Sequence, residues 1–254
     1  DMSNQNKLWL VGDLGVLLHT SNGGANWIQQ TTNTTNTLLS ISFVDGSNGW
    51  AVGDLGELIH TSNGGVTWVK QNSGTSKLLF GVTFKDLNNG WITGEDGLIL
   101  RTTDGGNNWS QQSSTTTNAL FYPSFINMNI GYCGGSFGTI LKTTNGGSTW
   151  SALVSNTTNN IYLVCGVSEN SIWAVGDSGM VLHSINGGLN WVKEFSKTGY
   201  DLFGLDVISD SVAFIAGDNG TVLVTGNSEY ILGIQEEDNT NTQIPTNITL
   251  YQNY

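Results

Sequence analysis

The chain is poor in charge, and the charge it has is mostly of one sign. Only 11% of its 254 residues are Asp, Glu, Lys or Arg, where an average domain has about 25%, and 20 acids outweigh 8 bases to leave a net charge of −12. So acidic a surface repels phosphate backbones and anionic lipid, which excludes nucleic acid and membrane surfaces as partners. Arginine occurs once, as Arg101. That rules out any site built from several guanidinium groups. No run of 18 apolar residues is present, so no helix could span a bilayer. The first residues, Asp1-Met2-Ser3, do not read as a signal peptide. There are two cysteines, Cys133 and Cys165, with no CxxC spacing and no Cys/His cluster, so a thiolate metal site is not expected.

Glycine, threonine, asparagine and tryptophan fill the space, and they do so periodically. Trp27, Trp68, Trp109, Trp150 and Trp191 follow one another at 41 residues, and so do Gly12, Gly53, Gly94, Gly135, Gly176 and Gly217. A fixed period of this length is that of a four-stranded propeller blade. One unit reads Leu38 to Val44 as an alternating strand, Asp45 to Gly49 as a turn, Trp50 to Gly53 as a second strand and Asp54-Leu55-Gly56 as a tight turn. Glu57 to Thr61 and Thr67 to Gln71 complete it as third and fourth strands around Asn63-Gly64-Gly65. Four such strands, a to d, bury their faces only by packing against neighbouring units. The fold expected is therefore all-β, a β-propeller of six four-stranded blades over residues 1–235, with a seven-bladed ring lacking a part as the alternative. Residues 236–254 read as a polar linker followed by a segment, Asn247 to Tyr251, that could close the ring. The first unit begins near strand b and lacks strand a, so either that segment or residues upstream of Asp1 are expected to supply it. Cys133 and Cys165 replace small strand residues of adjacent units. They read as small buried side chains, with a disulfide between blades as the alternative.

The turn between strands c and d resembles the Asp-box, or BNR, motif S/T-x-D/N-x-G-x-T/N-W. Five copies stand in register, ending at the five tryptophans above, with Asn22, Asn63, Asp104, Asn145 and Asn186 at the Asx position. A sixth has decayed, keeping Thr225 but carrying Leu232 where tryptophan would be. With the strand-b pattern G-W-x-x-G-x-x-G, the chain from about residue 4 to 232 resembles propellers of the photosystem II assembly and stability factor type. The same box occurs in sialidases, xyloglucan-degrading glycoside hydrolases and sortilin. The resemblance implies a structural hairpin away from any active site. It also implies an arginine-rich patch facing the target, which a chain with one arginine does not have. The final residues Ile244 to Tyr254 resemble the start of a type IX secretion sorting domain, which implies export and surface attachment.

The repeat also sorts the candidate functional residues. His19, His60 and His183 share one strand-c position with Arg101, Lys142 and Val224, so they read as solvent-facing strand residues and not as a metal set. Asp13, Asp54, Glu95, Asp177 and Asp218 recur in the b–c turn, with Ser136 breaking the series. An Asx residue before x-Gly is good turn chemistry. In an a-b-c-d meander, however, this acidic rim shares one end of the ring with the d–a loops 29–37, 111–118 and 193–199, which read as variable. Asp206 is a lone charge among Ser42, Thr83, Ser124 and Cys165 on strand a, the channel strand. These six acids are the candidate binding set. No catalytic residue or metal site is assigned; calcium is the one cofactor the acids could take, without a D-x-D-x-D-G run to support it. The three-arginine, Tyr/Glu apparatus of sialidases is absent, and a glycosidase needs two placed carboxylates. The expected function is a secreted or cell-surface, non-catalytic module that binds protein or glycan, with self-association at the surface as a further option. A polysaccharide-acting hydrolase is the alternative.

Overall fold

The computed structural model describes residues 1–4, 6–225 and 232–234, and for 2–4 and 232–234 the backbone alone. Among these residues, twenty-four strands form six four-stranded antiparallel sheets, each in the order a-b-c-d. Blade 2 comprises Leu38–Phe43, Gly49–Gly53, Leu58–Thr61 and Val69–Lys70. Strands a of blades 3 to 6 are Leu79–Phe84, Leu120–Phe125, Ile161–Gly166 and Leu202–Ser209, and each packs on strand a of the blade before it. The a strands are thus innermost and the short d strands outermost, in a six-bladed propeller. Leu232–Ile234 serves as strand d of blade 6 despite the lost tryptophan, pairing with Val222–Val224.

Blade 1 has a strand a of its own, which the sequence reading did not expect. Met2–Asn4 pairs with Lys7–Val11, Met2 opposite Leu8. Asp1 stands 41 residues before Ser42 and takes over its task. Ser42 Oγ accepts the Phe84 N–H of the next blade at 3.1 Å, and Asp1 Oδ2 accepts the Phe43 N–H at 2.5 Å. The segment Asn247 to Tyr251, with all of 235–254, lies outside the described residues.

One aromatic stack, repeated between blades, explains most of the large side chains. The strand-b tryptophan of one blade lies flat against the phenylalanine that ends strand a of the next: Trp9 on Phe43 at 3.7 Å, Trp50 on Phe84 at 3.6 Å and Trp91 on Phe125 at 3.8 Å. The Asp-box tryptophan meets that phenylalanine edge-on, as Trp68 does Phe43. The strand-b indole N–H then reaches 55 residues ahead to an Asp-box carbonyl: Trp50 to Gly105 and Trp91 to Gly146. Pairs like these contribute about 0.5–1.5 kcal/mol each beyond the area they bury.

The strand-c cations and histidines belong to the same stack and are not simply solvent-facing. His60 lies on the other face of Trp50 at 4.7 Å, Arg101 sits over Trp91 at 5.9 Å and Lys142 over Tyr132 at 5.2 Å. Each is the directly opposite cross-strand residue of its aromatic partner, so one register suits any flat or cationic group. Cys133 and Cys165 are free thiols; the interblade disulfide is not formed.

Coverage is thinner on blades 1 and 6. Leu10 is 50% exposed, while Ala51, Ile92 and Cys133 at the same repeat position are fully buried. Val222 is also partly exposed, where its counterpart Leu58 is buried.

Candidate functional site

The two ends of the ring are built differently. On one, the Asp-box turns close blades 1 to 5. In each intact box a buried hydroxyl, not the Asx side chain, is the hub. Thr61 Oγ1 accepts the Gly65 N–H and donates to Asn63 Oδ1, which in turn accepts the Thr67 N–H, all at 2.9 Å. Thr20, Thr102, Thr143 and Ser184 repeat this, and all five are about 1% exposed. Asn22, Asn145 and Asn186 play the part of Asn63. Asp104 does so as a carboxylate, held below the usual range by the Asn108 side-chain amide and backbone N–H. The tryptophans Trp68, Trp109, Trp150 and Trp191 lie largely under the turns, while Trp27 on blade 1 is partly exposed.

The opposite end, the loop face, carries the acidic rim. Asp13, Asp54, Glu95, Asp177 and Asp218 each open a tight turn whose next residue is left-handed and whose first carbonyl accepts the N–H three residues on, as does Ser136. The turn is pinned to the start of its own strand a: Asp54 N–H donates to Thr37 O, and Glu95, Ser136, Asp177 and Asp218 do likewise. Two of the carboxylates are already engaged. Glu95 Oε2 accepts the Leu78 N–H and Asp177 Oδ2 the Asn160 N–H. Asp206 is exposed on strand a of blade 6 in the Ser42 register, away from this rim. Among the described residues no three His, Cys, Asp or Glu side chains converge in a way that could hold a metal ion.

The d–a loops follow the repeat closely, against the sequence reading. Each has a buried Ser or Thr followed by a left-handed residue: Asn33, Gly74, Thr115, Asn156 or Lys197. The hydroxyls of Thr32, Ser73 and Ser155 donate to the turn carbonyls of Gly15, Gly56 and Gly138 at 2.6–2.7 Å. Loop and turn are thereby locked together. What varies is the side chain at the exposed tip of each b–c turn: Leu14, Leu55, Asp96, Phe137, Ser178 and Asn219, all at φ between +51° and +56°. Left-handed backbone suits Gly, Asn and Asp and costs about 1–2 kcal/mol for other residues. Leu14, Leu55 and Phe137 nevertheless stand there, 77%, 71% and 72% exposed. Phe137 borders a shallow groove of about 650 Å³ whose other wall is Leu153 to Thr158. Phe195 and Val154, also exposed, belong to the same loop set.

At the axis the loop face narrows to a feature the sequence reading passed over. The second residue of strand a is a β-bulge in every blade from 2 to 6. In blade 5, for instance, Ile161 pairs with Gly176 and Leu163 with Val175, leaving Tyr162 extra. The same shift isolates Leu39, Phe80 and Phe203, and a two-residue version holds Phe121. A bulge turns a side chain out of the alternation of its strand. Four aromatic rings so released touch in succession across four blades. Phe80 and Phe121 are 5.3 Å apart, Phe121 and Tyr162 5.3 Å, and Tyr162 and Phe203 4.8 Å. The Tyr162 hydroxyl is pushed up to about 12 by burial, by its hydrogen bond to Asp177 and by the charges of Asp177 and Asp201, with Asn160 acting the other way.

Comparison with known proteins agrees with this architecture. A family model described as photosynthesis system II assembly factor YCF48 matches residues 25–117 and 109–197. Among solved structures, one described as YCF48 bound to D1 peptide superposes with a TM-score of 0.73 at 19% identity, covering 91% of this chain and 78% of that one. YCF48 from Cyanidioschyzon merolae gives 0.68 at 19%, covering 86% and 79%. The GH74 xyloglucanase from Xanthomonas campestris gives 0.72 at 10%, covering 92% of this chain and 44% of the enzyme. No curated protein matches the sequence. A propeller whose Asp-box repeats are matched by that model over more than half its length belongs to the photosynthesis system II assembly factor YCF48 family.

Proposed function

We propose that this chain is a secreted or surface-displayed, non-catalytic propeller that binds a protein partner on its loop face. The observation that carries the reading is the contrast between a fixed backbone and varied tips. Six b–c turns share nearly the same φ at the tip, yet Leu14, Leu55 and Phe137 place large, mostly exposed apolar side chains where they cost stability. Strain kept at an exposed position points to a use for it, and apolar tips around a rim suit protein contact. Family membership supports the same class of work, since one related structure holds a bound D1 peptide. Export rests on the tail, Ile244 to Tyr254, and its likeness to a sorting domain. The rim acids Asp13, Asp54 and Asp218 supply charge around the tips, and Glu95 and Asp177 hold the loops.

The test is a paired set of face variants assayed against proteins from the source organism. Leu14→Asn, Leu55→Asn and Phe137→Asn together should abolish partner capture, and Val66→Asn with Ile185→Asn on the Asp-box face should leave it intact. Equal capture by both variants would refute the assignment. Turnover of xyloglucan by the wild-type chain would replace it with the hydrolase reading.

A further inference from the structure

We propose that the axial arc of Phe80, Phe121, Tyr162 and Phe203 receives a lysine or arginine side chain from an extended, basic segment of the protein partner. This deepens the reading above and rests on it. Three observations converge on the arc. First, its rings are there because a bulge recurs at one position in blades 3 to 6, interrupting the ladder at the inner strand where packing would favour regular pairing. Second, the rings remain accessible: Phe80, Phe121 and Tyr162 are half-buried and Phe203 is 43% exposed. Third, the charges that act on the Tyr162 hydroxyl at the centre of the arc are both carboxylates, Asp177 and Asp201.

The geometry selects the occupant. Neighbouring rings are tilted against one another by 74°, 49° and 44°. A pyranose chain stacks best on flat, coplanar rings. A tilted arc, with Phe80 and Phe121 meeting edge to face, offers no flat platform to a sugar ring, and its accessible ring surface beside carboxylates suits a compact ammonium or guanidinium. Ring faces attract cations by about 0.5–2 kcal/mol apiece, and the nearby carboxylates add to the pull. Lys77, on the loop that leads into Phe80, is paired with Asp96 at 3.2 Å. The chain's net charge of −12 would draw a basic segment toward the mouth over longer range.

The test uses the full chain labelled with 4-fluorophenylalanine and followed by fluorine NMR. The probe is a capped octapeptide alternating lysine and alanine, with its glutamate–alanine counterpart and a xyloglucan oligosaccharide as comparisons. Resonances of Phe80, Phe121 and Phe203 should shift saturably with the lysine peptide alone, and more weakly as salt is raised. Phe121→Leu with Phe203→Leu should weaken binding at least tenfold. Phe203→Leu alone, at the exposed end of the arc, should weaken it severalfold with an unchanged unfolding midpoint, which guards against a folding defect. Equal shifts with the glutamate peptide, no shift at all, or shifts with the oligosaccharide only would each overturn the proposal. Partner capture separates it from the parent reading: loss on changing the tips but not the arc leaves the loop-face function standing and removes the arc from it.

Discussion

The carbonyl oxygen of Thr75 lies 2.0 Å from where a β-carbon on Gly56 would stand. Gly56 also has φ of +70°, so two independent constraints meet at one residue. Gly15, Gly97, Gly138 and Gly179 face the equivalent carbonyl at about the same distance. This contact locks each d–a loop onto its b–c turn and gives the loop face a rigid frame.

Gly56→Ala is therefore expected to lose more than ~2 kcal/mol, since the left-handed cost of about 1–2 kcal/mol is joined by a backbone clash. Gly74 is also left-handed, at +75°, but has open space around it, and its counterparts are Asn33, Thr115, Asn156 and Lys197. Gly74→Asn should change stability by less than ~0.5 kcal/mol. Urea titration of the two variants checks the pair; equal losses would mean the clash is relieved by loop movement.

Thr61→Val leaves the Gly65 N–H and Asn63 without their shared hydroxyl in a buried turn. A loss of about 1–3 kcal/mol is expected. Thr61→Ser should be nearly silent, because Ser184 makes the same bonds in blade 5. Denaturant midpoints distinguish a hydroxyl hub from mere space filling, for which Val would do as well as Ser.

Much of this was readable in advance, but unevenly. The tryptophan spacing points to blades because Trp68 and Trp109 sit where a 41-residue unit requires them. The box hub was harder to see: threonine looks like a surface residue, and only burial shows that Thr61 outranks Asn63. The axial arc escaped for another reason. Leu38-Leu39-Ser40 reads as simple alternation, and a bulge at the same position in blades 2 to 6 leaves the period untouched. Likewise the Trp50–His60 stack follows from register, which periodicity alone does not supply. The d–a loops looked variable because their side chains differ, although their backbones do not.

Burial lowers the pKa of His19, His60 and His183 below the ordinary 6.5, with Lys7 adding to this at His19 and Glu194 and Asp210 opposing it at His183. A folded value below the unfolded one favours the neutral ring in the native state. The contribution is present above pH 6.5 and is lost as pH falls through 6.5 toward the folded value. The unfolding midpoint should fall between pH 7.5 and pH 5. His60→Val, which copies Val224, should flatten part of that slope. A slope unchanged by the substitution would place its origin elsewhere.

Relieving the strained tips should stabilise the protein. Leu55→Asn and Phe137→Asn are each expected to gain up to about 1 kcal/mol, as Asn219 already occupies this position in blade 6. Thermal unfolding reads the gain. Stability that falls instead would mean the apolar tips pack usefully within the monomer.

The most direct test of the loop-face account is photo-crosslinking with p-benzoylphenylalanine placed at Phe137, or at Val66 on the opposite face, in the source organism. The account predicts one dominant protein adduct from position 137, lost when Leu14 and Leu55 are changed to Asn, and none from position 66. Adducts of equal yield from both positions, or from position 66 alone, would contradict it.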